Sequence, residues 1–454
     1  MNQNTLKSFS AELATCLEGS VYTPSGEGYA SEIAGYNTAV IHTPDVVVSA
    51  ASGTDIAKTM RLSRQYGYSV AVQSTGHGAL EPITSGVLVS TRKLDQVSID
   101  VDTCTAVIAA GVRWNKVLEA ATKHNLTPVS GSSSDVGVVG YILGGGIGPL
   151  ARSHGFSSDY LTGVNVVTGS GELVETSATK NSDLFWALRG GKIGLGIVTE
   201  VRIRLVKLSG LYAGSLTFDE KDIEAALRAW ADWTRQADPR VTTSAAIVRF
   251  PAFAAVPEML RGRRLLSLRF AFPGSVEEGV RLAAPLRSFA PVYLDMLGEL
   301  PPSEMGRIHS DPSHPVPYWA SGVLLNQIDQ DVVSAALGEI GEGKETPFTA
   351  LEIRHIGGAT RHDVAEGSSV GGRSAEFVFS LVGKGPKQLN EVFSMKADQL
   401  YHTLRPWISE EGNINMMGNA IMGKHFTHMW PPQILKRLKE VQERYHTSRA
   451  CMSL

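Results

Sequence analysis

The stretch from Val129 to Gly148 constrains this chain more than any other, because it consists largely of glycine, serine and valine. Its glycines include Gly137, Gly140, Gly144, Gly145, Gly146 and Gly148. Glycine loses more backbone entropy on folding than other residues and contributes no side-chain packing, so such a run needs a compensating role. Bare backbone N–H groups bind anions in loops of this kind. The stretch, called the glycine arc below, therefore predicts a site for a pyrophosphate-containing cofactor.

Composition narrows the possible partners. The chain has 454 residues, of which 43% are hydrophobic and 19% charged, as expected of a globular protein with two or three domains. Its 42 basic and 45 acidic residues give a formal net charge of -3, which indicates neither nucleic acid nor an anionic membrane surface as a partner. No segment has the apolar length of a membrane span. The expected partner is a small molecule.

The N-terminal residues and the cysteines predict a cytoplasmic location. The sequence from Met1 lacks the positive and apolar regions of a secretory signal. Cys16, Cys104 and Cys451 are widely spaced, so they predict neither a disulfide framework nor a metal site.

Common nucleotide-binding motifs do not explain the glycine arc. The run from Gly144 to Gly148 is not G-x-G-x-x-G, because Pro149 occupies the place of the final glycine. No glycine loop ends in the Gly-Lys-Ser/Thr of a Walker A motif either. A different cofactor-binding arrangement is required.

Two further glycine loops lie in the same part of the chain. A short apolar run, Ser69 to Val72, leads into Gly76-His77-Gly78, and a third loop contains Arg189-Gly190-Gly191. On these residues alone, His77 is either a hydrogen-bonding turn residue or a reactive group. The three loops either bind one shared cofactor or are unrelated turns.

The order of these motifs resembles one flavoprotein group. It comprises Gly76-His77-Gly78, the arc from Gly131 to Gly148, Asp183 to Gly191, and Gly196-Ile197-Val198-Thr199. In this order they are similar to the berberine-bridge-enzyme-like group of the vanillyl-alcohol-oxidase family. The resemblance covers most of residues 30–208, continues weakly at Ile356 to Ala359 and Gly372-Arg373, and returns in the terminal helix.

The resemblance implies an α+β fold in three parts. Residues 1–208 are expected to form an FAD-binding domain of the PCMH type, built from two α/β subdomains. Residues 209–406 are expected to form an α+β substrate domain with an antiparallel sheet. Residues 407–454 are expected to return to the FAD domain. The oligomeric state is left open.

The resemblance also assigns residues to FAD, with His77 as the family's histidine that bonds covalently to the flavin 8α-methyl. Many members add a cysteine link, but Ser133 stands at that place, so a single link through His77 is expected. Val136 matches a position where oxygen-reactive members carry a small valine; the alternative is a packed strand residue. The predicted FAD-binding set is Ser74, Thr75, Gly76, His77, Gly78, Ser132, Ser133, Val136, Gly137, Gly140, Gly145, Gly146, Ile197, Val198 and Asn415.

The catalytic base is where the chain departs from its relatives. Many of them use a tyrosine from a Tyr-x-Asn-Tyr segment, which here reads Asn413-Ile414-Asn415-Met416. Asn415 is kept, and both tyrosines are absent. The predicted catalytic residues are Glu352, with a pKa raised by burial, Asn415 and Tyr318. Tyr318, His425 and His428 are further candidates for the base, on weaker grounds than Glu352. The alternative for Glu352 is an outward, salt-bridged strand face.

Three functions follow for testing. The first is an FAD-dependent oxidase or dehydrogenase that moves hydride from a small organic substrate to flavin N5 and returns the electrons to O2. The substrate is expected to be a biosynthetic intermediate or a sugar-like alcohol. The second is a flavoprotein with structural FAD that catalyses a non-redox cyclisation. The third is a binding protein without FAD.

Overall fold

A four-stranded sheet positions the His77 turn. The computed structural model describes residues 3–208, 210–422 and 429–445. Strands β2 and β4 are buried along their whole length, and β2 and β3 both run parallel to β4. The elements are α1 (Gln3–Cys16), β1 (Ser20–Tyr22), α2 (Tyr29–Ile33), β2 (Val46–Ser49), α3 (Gly53–Tyr66), β3 (Val70–Gln73) and β4 (Val87–Ser90), with strand order β1-β2-β4-β3. Strand β3 ends directly before Ser74.

A second, antiparallel sheet carries the other two glycine loops between its elements. Its strand order is β5-β6-β10-β8-β9. In β10, Val201 and Ile203 are buried while Glu200 and Arg202 are half-buried, as their alternation predicts. The elements are β5 (Val97–Asp100), β6 (Thr105–Ala109), α4 (Trp114–Thr122), β7 (Leu126–Thr127), α5 (Val138–Ile142), α6 (Ala151–His154), β8 (Leu161–Val167), β9 (Leu173–Thr176), α7 (Ser182–Leu188), β10 (Ile197–Arg204) and β11 (Val206–Lys207).

The second half of the chain is built on one large antiparallel sheet. Its order is β15-β12-β14-β13-β18-β19-β17, and β16 also pairs with β12. Helices α8 and α10 cover one face, where Trp230, Val333 and Phe379 are fully buried. The elements are β12 (Leu211–Phe218), α8 (Ile223–Thr234), β13 (Thr242–Arg249), β14 (Arg264–Phe272), α9 (Val276–Ala283), β15 (Val292–Asp295), β16 (Gly298–Leu300), β17 (Trp319–Leu325), α10 (Gln330–Ile340), β18 (Ala350–His355), β19 (Phe377–Gly383), α11 (Asn390–Leu404) and α12 (Pro432–Tyr445).

The two halves meet in a small apolar cluster at the end of the glycine arc. Ile147 and Phe156 pack there with Leu324 of β17 and Val378 of β19. Helix α12 lies against the first half, because Leu438 and Val441 are buried in the core that contains Trp186. The arc is thus held between the smaller sheets and the free face of the large one.

The fold class expected from the sequence is confirmed, whereas some local expectations are wrong. Val136 lies in a turn rather than a strand. The apolar spacing from Val276 to Phe289 predicts one helix, but helix α9 ends at Ala283, before a 3₁₀ turn that contains Pro285. The domain limits at 208 and 406 stay predictions. None of the helices in the described ranges is long and apolar enough to span a bilayer.

We expect Gly148→Ala to destabilise the protein by about 3 kcal/mol, because the new Cβ would lie 1.8 Å from the Ser130 carbonyl oxygen and the backbone must move. Gly338→Ala is the control: no heavy atom lies within 4 Å of its Cβ position in α10, and alanine favours a helix by about 0.5–1 kcal/mol. Urea unfolding measures both. Wild-type stability of Gly148→Ala would contradict the close packing of the arc.

Candidate FAD site

The turn after β3 needs glycine at position 76. Gly76 has φ 73°, and a Cβ there would lie 2.6 Å from the Gly35 Cα atom. The backbone N–H of Tyr36 donates to the Thr75 carbonyl at 2.9 Å, which fixes the neighbouring segment against the turn. The close approach of two backbone segments therefore explains one of the two glycines beside His77.

His77 is held as a neutral imidazole. Its ring stacks on Tyr36 with centroids 3.7 Å apart, and its Nδ1 atom lies 3.0 Å from the Thr75 hydroxyl oxygen. Burial, together with the positive charge of Arg113, lowers the pKa of His77 to about 4. Its Nε2 atom is buried and has no hydrogen-bond partner within the described structure. An uncharged imidazole with an unsatisfied ring nitrogen suits either a hydrogen bond or a bond to a cofactor.

The glycine arc folds back on itself and borders the His77 turn. Gly145 and Gly146 have φ 97° and 82°, and a Cβ on Gly146 would lie 2.4 Å from the Tyr141 ring. At the other end, a Cβ on Gly137 would lie 3.2 Å from Ser74 Oγ. Gly140 is exposed, with no heavy atom within 4 Å of its Cβ position. The structure thus brings the first two glycine loops together and leaves bare backbone beside open space.

The remaining predicted FAD residues lie in or beside these loops. Ser132, Ser133 and Val136 are half-buried in the arc. Ile197 and Val198 are buried at the start of β10, where they pair with Val167 and Val166. Their contacts with FAD stay predictions.

Asn415 connects the C-terminal segment to two of the loops. Its side-chain Nδ2 donates to the Tyr141 carbonyl at 2.7 Å, and its Oδ1 accepts from Lys192 Nζ at 2.9 Å. A Cβ on Gly144 would lie only 2.2 Å from the same Oδ1 atom. Asn415 therefore fixes the position of the arc relative to the loop after α7. Gly144 must be glycine, because the Asn415 carboxamide occupies the space that a side chain would need.

Tyr318 supports the His77 turn. Its hydroxyl donates to the His77 carbonyl oxygen, and burial raises its pKa. The same segment is joined to residue 36: Val316 N donates to the Tyr36 carbonyl at 3.0 Å, and the Tyr36 hydroxyl donates to the Pro312 carbonyl at 2.6 Å. A phenol that is difficult to ionise and already engaged is a poor proton acceptor, so the contacts favour a positioning role for Tyr318.

Glu352 is half-buried and ion-paired, on the face of the large sheet opposite to that of His355. Its carboxylate lies 2.8 Å from Arg269 and 3.1 Å from Arg354. Burial alone would raise the pKa of Glu352, but Arg354 and Arg269 outweigh it and hold the pKa well below its usual range. The expected rise in pKa is therefore wrong. The alternative of a salt-bridged strand face is right about the ion pairs, but the half-buried side chains on this face point toward the glycine arc rather than into solvent.

The Glu352 cluster also touches the glycine arc. Arg354 Nη1 donates to the Ile147 carbonyl at 3.1 Å. His309 lies 3.6 Å from Glu352, and burial beside Arg269 lowers the pKa of His309 to about 4. The cluster fixes the arc to the sheet by charge as well as by apolar packing. The candidates His425 and His428 lie outside the described residues.

The loops fit a cofactor of the FAD type. Buried polar atoms without hydrogen-bond partners in the described structure include Ser74 Oγ, His77 Nε2 and the Tyr141 hydroxyl, one or more from each of the first two loops. Such atoms are rare in folded proteins unless a ligand or water satisfies them. These atoms are the groups of the two loops that a bound cofactor of this type would satisfy.

Comparison with known proteins gives the family. Residues 44–177 match the family described as FAD binding domain. The structure superposes on BBE-like 1 of Physcomitrella patens with a TM-score of 0.82 over 98% of this chain and 97% of the other, at 18% identity. Residues 44–177 therefore match an FAD-binding family, and the whole chain has the fold of the berberine-bridge-enzyme-like FAD-linked oxidoreductases.

Three other proteins share the fold or part of the sequence. A berberine-bridge-enzyme-like fold is shared with glucooligosaccharide oxidase of Acremonium strictum, which carries 6-S-cysteinyl, 8α-N1-histidyl FAD: the TM-score is 0.82 over 98% of both chains, at 19% identity. An FAD-linked oxidoreductase of Dictyostelium discoideum is 24% identical over 81% of this chain and 79% of its own length. The (R)-6-hydroxynicotine oxidase of Paenarthrobacter nicotinovorans is 31% identical over 46% of this chain and 47% of its own length.

The sequence pattern did not identify several residues that the structure brings to this candidate FAD site. They are Tyr36, Tyr141, Lys192, His309 and Arg354. Lys192 alone carried a local signal, as a lysine inside a loop that is otherwise rich in glycine. The others are recognisable only through contacts between distant parts of the chain.

We expect Glu352→Gln to lower the free energy of unfolding by about 3 kcal/mol, because two buried guanidinium groups lose their counter-charge. Since the folded pKa of Glu352 is lowered, the loss is complete above about pH 5 and shrinks as the pH falls further. Glu224→Gln, in an exposed pair with Arg228, is the control and should change little. Urea unfolding at pH 7 and pH 4 tests this; equal effects of both variants would contradict it.

Proposed function

We propose that the protein is an FAD-dependent oxidase that acts on a C–H bond of a small organic substrate and returns the electrons to O2. FAD supplies the hydride acceptor when it is bound. The observation that carries the proposal is the meeting of the His77 turn, the glycine arc and Asn415 around bare backbone and unsatisfied polar atoms. The oxidase assignment is supported by the named oxidases among the relatives and by Val136 in the arc.

We also propose that FAD is attached through His77 alone. A neutral imidazole has the lone pair that bond formation requires, and burial keeps His77 neutral at physiological pH. Tyr36 and Tyr318 hold the ring and the backbone of the turn in place. Ser133 has no thiol and therefore provides no second link.

The side chains considered as bases have other contacts. Glu352 is held ionised by two arginines, Tyr318 is engaged by the His77 carbonyl, and Asn415 has no basic group. We therefore propose that this chain binds and orients a substrate whose oxidation needs no strong protein base at these positions. A biosynthetic intermediate or a sugar-like alcohol remains the proposed substrate class, and a cytoplasmic location remains the proposed setting.

The lack of an available protein base favours one alternative function. A flavoprotein that lacks both tyrosines at positions 413 and 416, and whose buried carboxylate is fully ion-paired, also suits a non-redox cyclisation with a structural FAD. In that case the pocket orients the substrate, and the flavin remains oxidised throughout turnover.

Acid-precipitated wild-type protein should stay yellow, because a bond to His77 survives unfolding. His77→Ala should release essentially all of its flavin into the supernatant. Ser133→Ala is the matched control and should keep a yellow pellet. Absorbance of pellet and supernatant measures the distribution. A colourless wild-type pellet would exclude the covalent bond, whereas loss of colour in Ser133→Ala would assign the link elsewhere.

Anaerobic mixing with substrate should bleach the oxidised flavin band, and admission of air should restore it with formation of hydrogen peroxide. A panel of sugars and other alcohols, screened for peroxide, supplies the substrate. Turnover with an unchanged flavin spectrum would contradict the oxidase and support the cyclisation. Purified protein without any flavin absorbance would support the third function, a binding protein without FAD.

A further inference from the structure

Lys192 is a half-buried cation without an anionic partner in the described structure. Its Nζ atom donates to the neutral Asn415 carboxamide at 2.9 Å. Throughout the described ranges, no carboxylate oxygen forms an ion pair with it within 4.0 Å. Burial lowers the pKa of Lys192 to about 8, and no nearby charge offsets that effect. Because a charge that is partly withdrawn from water and unpaired is unfavourable, a negative group at this place would stabilise the ammonium group.

The backbone at Lys192 is also unusual. Its φ angle is 52°, in the left-handed region that glycine adopts with less strain. The neighbouring loop positions 190, 191, 194 and 196 are all glycine. A lysine at a strained position in such a loop indicates that the side chain, and not only the loop shape, is used.

The ammonium group lies where the three glycine loops converge. It is 3.8 Å from the point that a Cβ of Gly78 would occupy, and Gly78 follows His77. Through Asn415 it is joined to the Tyr141 carbonyl and to the space in front of Gly144. Lys192 itself belongs to the third loop. No other lysine forms a hydrogen bond with these loops in the part of the chain that the structure describes.

We propose that Lys192 is a cofactor-binding residue whose ammonium group provides the positive charge opposite an anionic part of FAD. The inference rests on the FAD site of the proposed function and does not depend on the oxidase reaction or on the substrate. FAD offers two anionic parts, the diphosphate, which is always charged, and the ring system, which gains electron density when it is reduced. The chemistry required of Lys192 is the same for both.

A purely structural clamp on Asn415 is the competing explanation, and three variants separate the two. Lys192→Gln keeps a hydrogen-bond donor for Asn415 and removes the charge. Lys192→Arg keeps the charge. Lys192→Met removes the charge and leaves Asn415 unchanged, and it provides a second route if Lys192→Gln does not fold. Lys123→Met, at an exposed position after α4, is the surface control.

Two measurements that need no substrate test the proposal. The first is the dissociation constant of FAD, measured by flavin fluorescence in a His77→Ala background so that the cofactor is exchangeable. The second is the flavin midpoint potential of the His77 holoprotein, measured by dye equilibration. Peroxide formation is recorded separately, so that failure of the oxidase proposal is distinguishable from failure of this one.

Loss of the charge should change either the dissociation constant of FAD or the equilibrium constant of flavin reduction by about tenfold. A rise in the dissociation constant with unchanged potential identifies the diphosphate. A fall in potential of about 30 mV, which is a tenfold change for a two-electron couple, identifies the ring system. Lys192→Arg should retain most of the wild-type value, and Lys192→Met should reproduce the change seen in Lys192→Gln. Wild-type values in Lys192→Gln or Lys192→Met, or equal losses in Lys192→Gln and Lys192→Arg, would overturn the proposal.

Discussion

The carboxamide of Asn415 is the contact on which the cofactor side of the structure depends. One amide group satisfies the Tyr141 carbonyl and the Lys192 ammonium, which lie 274 and 223 residues away in the sequence. A side chain with both a donor and an acceptor is required, because an aspartate would repel the carbonyl and an aliphatic residue would leave both groups unsatisfied. This explains why the asparagine is present although the tyrosines that flank it in many relatives are not. Its function here is structural, and it sets the distance between the arc and the third loop.

A second constraint acts from the opposite side of the arc. The free face of the large sheet presents Glu352 between Arg269 and Arg354, and Arg354 reaches the Ile147 carbonyl. Buried ion pairs contribute little net stability compared with apolar packing, but they define one arrangement, because any displacement leaves a charge unpaired. The arc is therefore fixed between a neutral amide on one side and a charged cluster on the other. Its many glycines adopt a single path despite their conformational freedom.

Sequence patterns predicted those elements of the fold whose conformation depends on residues close together in the chain. The alternation in β10, the amphipathic helices α3 and α4, and the glycine loops around His77 all follow from residue spacing, and the resemblance of these loops led to the α+β class. The pattern could not give the roles of individual polar side chains. Glu352 meets Arg269 from a strand 83 residues away, and Tyr318 meets the His77 carbonyl from 241 residues away. Such pairings leave no periodic signal in the sequence. The ion pairs of Glu352 were therefore not predicted, and its pKa was expected to be raised rather than lowered.

The link between the Tyr36 segment and residues 312–318 has a consequence for the His77 turn. Backbone hydrogen bonds join Val316 to Tyr36 and to Thr38, and the two tyrosine hydroxyls bind carbonyls across the same boundary. A rotation that separated the two halves at this edge would break these four hydrogen bonds, and with them the bond from the Tyr318 N–H to the Asn37 carboxamide oxygen. It would also expose the stacked His77 ring. The conformation of the His77 turn therefore depends on residues from both halves of the chain, so the first half alone would lack the contacts that hold the turn.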